Sequence, residues 1–167
     1  KLAIRPYPIQ YVGTWTTRNN ANVTIRPISP EDEQLLVKFH ATLSDRTVFL
    51  RYLQPMLLQE RVVHDRLSRI CHCDYDRELA LIAETKNGEE REIIAVVRLS
   101  KMHGTTEARL SILVTDAMQG SGLGSELVRR AMDVAKREHI TRLVATQTPD
   151  NQIMLHIFEK LGFKIQK

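Results

Sequence analysis

A glycine-rich turn is the part of this sequence whose residue types and spacing most directly predict chemistry. Gly120, Gly122 and Gly124 occupy alternate positions in QGSGLGS, between a run typical of a β-strand and one typical of a helix. Such a turn exposes backbone N–H groups and the positive end of the helix, and glycines let an anion approach closely. Because one charge-assisted hydrogen bond contributes about 1.5–3 kcal/mol, several can hold a diphosphate without a lysine. The turn therefore predicts a site for a phosphate-bearing ligand.

Spacing excludes two common phosphate loops. The ATP-type loop G-x-x-x-x-G-K-[ST] needs a lysine directly after a glycine, and no glycine of this chain is followed by lysine. The dinucleotide loop G-x-G-x-x-G needs a glycine at position 125, which is Ser125, and a parallel βαβ unit, which the flanking hairpin contradicts. A tight turn without a ligand remains the alternative as far as glycine content alone is concerned.

The elements that must position this turn are helices and strands arranged around one mostly antiparallel sheet. The β-rich runs IQYVGTWTT and VTIRPI, separated by RNNAN, predict an N-terminal hairpin. A helix is predicted to begin at Ser29 and Pro30, a second to cover 45–53, and a third to cover about 57–70 with Val62 and Val63 inward.

After Glu78 the hydrophobic period becomes that of strands. LALIAETK and EIIAVVRLSKM predict two antiparallel strands joined at Asn87-Gly88, and EARLSILVTD predicts a third. A helix over 122–138, the strand TRLVATQT and the helix NQIMLHIFEKLG follow. The final FKIQK allows one further strand. A second strand beside it at the edge of the sheet would have to come from further chain or from the N-terminal strand.

Composition limits the class of protein. The 167 residues are enough for one domain, and no apolar run approaches the roughly 20 residues of a membrane span. Cys71 and Cys73 are too close to crosslink a fold and supply only two ligands, so we expect a reducing cytoplasm and no metal. The net charge of +4 is mild, and the basic helix face near Arg129 is interleaved with carboxylates, so we expect no nucleic acid partner. The start at Lys1, without a signal-type core, predicts a piece of a longer protein.

The glycine turn fits a known pattern. Residues 119–124 read Q/R-x-x-G-x-G/A, and with Asn151, Met154 and Leu161-Gly162-Phe163 they resemble the GNAT superfamily of N-acetyltransferases from Val23 to Phe163. The resemblance implies the GNAT α/β fold, a mixed, mostly antiparallel sheet flanked by helices, with 1–22 an N-terminal segment that supplies a hairpin strand and 23–167 the acetyltransferase domain.

The resemblance also implies acetyl-CoA as co-substrate and assigns its contacts. The diphosphate would lie on the loop, the thioester carbonyl on strand backbone, and the pantetheine arm or a water on an asparagine. The residues concerned are Gln119, Gly120, Ser121, Gly122, Leu123, Gly124 and Ser125 for the loop, Leu113 and Val114 for the strand, and Asn151.

Five segments extend the resemblance to a narrower group. IRPYP, VTIRPISPEDE, FLRYL, DYDRELALIA and AVVRL are similar to the acetyltransferase domain of bacterial protein lysine acetyltransferases. In those proteins the domain is fused behind a module resembling an ADP-forming acyl-CoA synthetase. The similarity implies such an upstream module and a protein lysine as acceptor, typically on acetyl-CoA synthetase. A small-molecule N-acetyltransferase and an acyl-CoA-binding sensor without chemistry stay open as alternatives.

The general base departs from the pattern. Related lysine acetyltransferases carry a glutamate ten positions before the loop's first residue, where this chain has Arg109. Arginine has no acceptor atom, so we predict Glu107, about 6.6–6.8 Å away on the same strand face, as the base. A water or a β-bulge near Gly104 would have to close that gap, and a solvated strand-end carboxylate is the alternative. Phe158 stands where many members have a proton-donating tyrosine.

Three arginines of the N-terminal helices have two possible roles. Arg51, Arg66 and Arg69 either line an acceptor site for an acidic protein surface or pair locally. Their spacing does not separate these alternatives.

Overall fold

The computed structural model describes residues 5–166, which form one six-stranded sheet with helices on both faces. The strands lie side by side in chain order: β1 Gly13–Thr16, β2 Asn22–Pro27, β3 Glu78–Asn87, β4 Glu90–Lys101, β5 Glu107–Val114 and β6 Arg142–Val144. Neighbouring strands are antiparallel except β5 and β6, which are parallel. The mixed, mostly antiparallel sheet is as predicted.

Two layers of helices cover the sheet. One layer comprises α1 Glu33–Ala41, α2 Asp45–Tyr52, α3 Leu58–Arg61 and α4 His64–Cys71, and the other comprises α5 Leu123–Arg137 and α6 Gln152–Lys160. Phe39 and Leu67 of the first layer pack on Ile82, while Leu127 of the second packs in the cluster that holds Leu81. Because side chains alternate along a strand, successive residues of β3 enter opposite cores. Strands buried on both faces explain the nearly continuous apolar runs in the sequence.

The predicted start of α1 is confirmed in a slightly different form. Pro30–Asp32 form a short 3₁₀ turn, and the backbone N–H of Ser29 donates to Asp32 Oδ2 at 2.8 Å. The Asp32 carboxylate also pairs with Arg26 Nη2 at 2.7 Å, which ties the start of this helical layer to β2.

Three expectations are corrected. The third helix is two short helices, because Val63 takes an extended backbone (φ −57, ψ 132) that interrupts the helical hydrogen bonds, and its side chain is exposed rather than inward. Residues 163–166 form no strand. β1 lies at the opposite edge of the sheet from β6, so the N-terminal strand does not fill the edge beside β6.

Candidate active site

A cleft opens where β5 and β6 diverge. The parallel pairing ends at Arg109 and Val144, so within residues 5–166 the rest of β5 has no strand on that side. The cleft has a volume of about 760 Å³ and is lined by the second half of β5, the glycine loop, the start of α6 and part of α2. Its size is that of sites for small ligands and cofactors.

The alternation of β5 determines which backbone amides face the cleft. Thr115 N–H donates to Ile94 O at 2.9 Å and Met102 N–H to Glu107 O at 2.9 Å, and the register between these two bonds is unbroken. Residues of odd number therefore bond to β4, while the N–H groups of Ile112 and Val114 point toward the cleft. The side chain of Leu113 belongs to the core below α1 and α2, and its amide faces β4. Of the predicted pair, only Val114 offers its N–H, and sequence reasoning missed Ile112 because the register was unknown.

The glycine loop presents unbonded amides to the same cleft. Gly120 (φ 82) and Gly122 (φ 89) adopt left-handed conformations, and their N–H groups have no acceptor among the described residues. Gly124 and Ser125 lie in the first turn of α5, whose amides lack intrahelical partners. All four residues line the cleft. The loop therefore forms a concave set of donors at the positive end of a helix, which is suited to a diphosphate.

Two of the predicted loop residues support the loop from behind. Ser121 donates its N–H to Met118 O at 3.3 Å, and its Oγ accepts from Leu123 N–H at 3.4 Å. Leu123 is fully buried beneath the sheet. Neither residue lines the cleft, so their role is to fix the turn.

Gln119 and Asp116 join the loop to α2. Gln119 Nε2 donates to Thr47 Oγ1 and to Val114 O, both at 3.2 Å. Asp116 accepts from Ser44 N–H at 3.0 Å and from the hydroxyls of Ser44 and Thr47. Burial would raise the pKa of the Asp116 carboxyl, but these hydrogen bonds outweigh it and lower the pKa. The two residues hold the cleft's two walls together.

Arg18 of the β1–β2 turn is a cleft residue that sequence reasoning missed. Its N–H donates to Ser121 O at 3.3 Å, and its side chain lines the cleft beside Gly120 and Gly122. A Cβ placed on Gly122 would lie 3.4 Å from both Arg18 Nε and Trp15 Cη2. The hairpin thus brings a cation to the glycine loop. No local motif marks Arg18, because it lies about a hundred residues away in sequence.

Asn151 begins α6 and lines the cleft wall opposite β5. Its Oδ1 accepts from Met154 N–H at 3.4 Å and its Nδ2 donates to Gln147 Oε1 at 2.8 Å. The second amide hydrogen and the second Oδ1 lone pair leave Asn151 able to bond to a pantetheine arm while it keeps both contacts.

The predicted base lies away from these groups. Glu107 is at the start of β5, where its Oε1 is 3.5 Å from Arg142 Nη1, and neither Glu107 nor Arg109 lines the cleft. Five residues of strand separate Glu107 from Ile112, about 16–17 Å. Of the two ways to close the gap, the β-bulge near Gly104 is not seen, because the β4–β5 register continues without a shift. Among the lining residues the only carboxylates are Asp116 and Asp150, and Phe158 is buried against Phe163.

The wall formed by α2 is cationic. Arg46 and Arg51 line the cleft, and Arg51 Nη2 donates to Ser111 Oγ at 3.1 Å. Arg66 stays outside the cleft with its Cζ 5.2 Å from the Tyr52 ring centre. Arg69 is exposed and bonds to Asp65 O of its own helix. Of the three candidate arginines, the cleft contains Arg51.

Two features are absent from residues 5–166. No group of three or more His, Cys, Asp or Glu side chains is placed to hold a metal ion. None of the helices has the length and apolar character needed to cross a bilayer.

Comparison with known proteins agrees with this geometry. The Acetyltransferase (GNAT) domain family matches residues 22–164. The chain is 28% identical over 147 residues to Acetyltransferase PA5475 of Pseudomonas aeruginosa, covering 87% of this chain and 77% of that protein. It is 26% identical over 161 residues to Acetyltransferase Pat of Mycolicibacterium smegmatis, covering 95% of this chain and 44% of Pat.

A solved structure shows the same arrangement of elements. The GNAT domain of S. lividans PAT superposes with a TM-score of 0.86 at 28% identity, covering 97% of this chain and 93% of that domain. The fold and the cleft are those of an acyl-CoA-dependent transferase. The chain belongs to the GNAT acetyltransferase family, and its co-substrate is acetyl-CoA.

Proposed function

We propose that this domain transfers the acetyl group of acetyl-CoA to the side-chain amine of a protein lysine, by direct attack within a ternary complex. The observation that carries the proposal is the likeness to the S. lividans PAT domain over 97% of this chain, supported by the similarity to Acetyltransferase Pat. An AMP-forming acetyl-CoA synthetase is the acceptor that we propose to test first.

Different residues of the cleft would bind different parts of acetyl-CoA. The amides of Gly120, Gly122, Gly124 and Ser125, with Arg18, would hold the diphosphate at one end. The N–H groups of Ile112 and Val114 would hold the pantetheine arm and the thioester carbonyl. A donor aimed at this oxygen is stronger in the transition state, because negative charge develops there as the amine attacks.

The transfer itself needs one bond made and one broken. The neutral amine nitrogen bonds to the thioester carbon, the C–S bond breaks, and the CoA thiolate leaves. The amine loses its proton to solvent, and the thiolate, with a pKa near that of ordinary thiols at about 8.5, takes one from solvent. No glutamate or tyrosine lines the cleft within residues 5–166, so we propose that neither Glu107 nor a tyrosine acid takes part.

The lack of a glutamate and a tyrosine in the cleft lining within residues 5–166 also favours one other function. A cleft without a glutamate base also suits an acyl-CoA-binding sensor that has lost the chemistry, and this remains the second candidate.

The experiment that tests the proposal pairs binding with transfer. Calorimetry with acetyl-CoA would show binding. Labelled acetyl-CoA would then be incubated with the synthetase and, separately, with small primary amines, and mass spectrometry would locate the modified lysine. We expect labelled synthetase. Binding without turnover on any amine would support the sensor function and contradict both enzyme functions. Turnover on small amines alone would contradict a protein acceptor.

A further inference from the structure

A guanidinium at the α2 wall of the cleft has no carboxylate partner among residues 5–166. Arg51 is partly buried, and its polar contact is the neutral hydroxyl of Ser111 at 3.1 Å. Its Cζ lies 4.8 Å from the centre of the Tyr52 ring. Burying a charge costs free energy unless an opposite charge or hydrogen bonds compensate it. The fold has therefore placed a cation in the cleft without supplying its counter-charge.

Neighbouring arginines add to the positive potential. Arg66 lies on the same Tyr52 ring, with its Cζ 5.2 Å from the centre, and forms no ion pair within the described part of the chain. Arg98 lines a second, smaller cavity that Arg51 and Ser111 also line, and it is paired with Glu78 at 3.3 Å. Burial lowers the pKa of the Arg51 guanidinium and outweighs the effect of Tyr52, which raises it, and the charges of Arg98 and Arg66 lower it further. An anion bound at Arg51 would relieve this unfavourable charge.

The carboxylates that line the cleft do not meet this need. Asp116 is held by Ser44 and Thr47 at the far end of α2, and Asp150 precedes α6 on the opposite wall. Neither forms an ion pair with Arg51 within residues 5–166.

The position of Arg51 separates its anion from the diphosphate. Its partner Ser111 directly precedes Ile112, whose amide faces the proposed thioester site. Ser111 is three residues, about 10 Å, before Val114, and the glycine loop begins beyond Val114. Arg51 therefore lies at the reacting end of the cleft, where the acyl group and the acceptor meet.

We propose that Arg51 binds a carboxylate of the substrate beside the reacting thioester, an inference that rests on the proposed acyl-CoA site. The carboxylate has two chemical sources. It belongs either to the distal end of a dicarboxylic acyl group, as in succinyl-CoA, or to an acidic residue next to the acceptor amine. In both cases the planar guanidinium offers a bidentate contact, and Ser111 fixes its orientation.

The first arm of the test varies the acyl group. Succinyl-CoA and butyryl-CoA have four-carbon acyl chains and differ by the terminal carboxylate, so their ratio of dissociation constants isolates that group. If the acyl group is the source, calorimetry on the whole chain should show succinyl-CoA binding about tenfold tighter than butyryl-CoA, as one charge-assisted contact predicts. Arg51→Gln should abolish the preference, and the exposed Arg69→Gln, with the same change in charge, should keep it.

The second arm varies the acceptor. With acetyl-CoA as donor, kcat/KM would be compared for lysine peptides that carry Asp or Asn beside the lysine. If the acceptor is the source, the Asp peptide should be preferred by about tenfold in the wild type and not in Arg51→Gln. Ser111→Ala keeps the cation and loosens its orientation, so it should reduce the preference severalfold. If Arg51→Gln does not fold, Ser111→Ala and Arg51→Lys take its place in the test.

The outcomes separate this inference from the function on which it rests. Equal binding and equal transfer in both arms, or a preference that survives Arg51→Gln, would overturn the role of Arg51 while acetyl-CoA binding remains. Failure of the wild type to bind any acyl-CoA would overturn the proposed site itself.

Discussion

Replacing Gly122 by Asn or by Asp tests the diphosphate site with two side chains of the same shape. Gly122 has φ 89, and Asn and Asp tolerate this left-handed region better than most residues, at a cost of about 1–2 kcal/mol. The new Cβ would lie 3.4 Å from Arg18 Nε and from Trp15 Cη2, an ordinary contact distance. Strain and crowding are therefore nearly equal in the two variants, and they differ by one negative charge.

The expected size of the charge effect follows from the loop geometry. Two unit charges about 6 Å apart interact by about 3 kcal/mol at an effective dielectric constant of about 20. Arg18, next to the new carboxylate, offsets part of this repulsion. We expect the dissociation constant of acetyl-CoA to be about 10- to 100-fold higher for Gly122→Asp than for Gly122→Asn, about 1.4–2.8 kcal/mol.

Calorimetry at low and high salt would measure the difference. The gap between the variants should narrow at high salt, because mobile ions screen the repulsion. Acetyl-pantetheine, which lacks the phosphates, should give the same kcat/KM with both variants. Equal affinity of the Asp and Asn variants for acetyl-CoA would refute the assignment of the diphosphate to this loop.

Three further predictions concern single side chains. Arg18→Gln should weaken acetyl-CoA binding about five- to tenfold by calorimetry, as loss of one phosphate contact predicts, and an equal loss with acetyl-pantetheine would contradict that role. Glu107→Gln should leave kcat/KM and its pH profile unchanged, because Glu107 lies outside the cleft; removal of an acidic limb from the profile would make Glu107 the base. Hydrogen bonds from Arg5, then from Tyr11, outweigh burial and lower the pKa of Glu138 to about 2 from 4.5, so the stability they supply is present above pH 4.5 and lost as pH falls toward 2. Glu138→Gln should therefore lower the free energy of unfolding in urea by about 1–2 kcal/mol at pH 7 and little near pH 2, and equal losses at both pH values would contradict the linkage.

Local sequence patterns were sufficient to predict the parts of the site that a single continuous segment forms. The alternating glycines sit between a strand and a helix, and the structure gives Gly120 and Gly122 the positive φ values that such a turn needs. The strand and helix periods of 78–138 predicted β3, β4, β5 and α5 nearly to the residue, because each packs one repeating face into a core.

Features that depend on pairing between distant segments could not be predicted. The register between β5 and β4 determines which β5 amides face the cleft. A shift of one residue would turn the N–H of Leu113 toward the cleft in place of the N–H of Ile112. Arg18 reaches the loop through the β1–β2 hairpin, which no spacing rule connects to residue 120. The break at Val63 arises where two short helices pack separately against α1, and this packing overrides the helical period.

We propose that the two ends of the cleft carry cations for different reasons, which would let transfer proceed without a glutamate nearby. Arg18 and the loop amides would stabilise the charge that the diphosphate always brings. In our proposal Arg51 stands where the acceptor enters, and a positive potential there would favour the neutral form of an approaching amine over its ammonium form. A carboxylate bound at Arg51 would reduce that potential, so the same side chain couples substrate choice to the protonation of the attacking nitrogen. Selectivity and amine activation in this cleft would therefore both depend on the charge of Arg51.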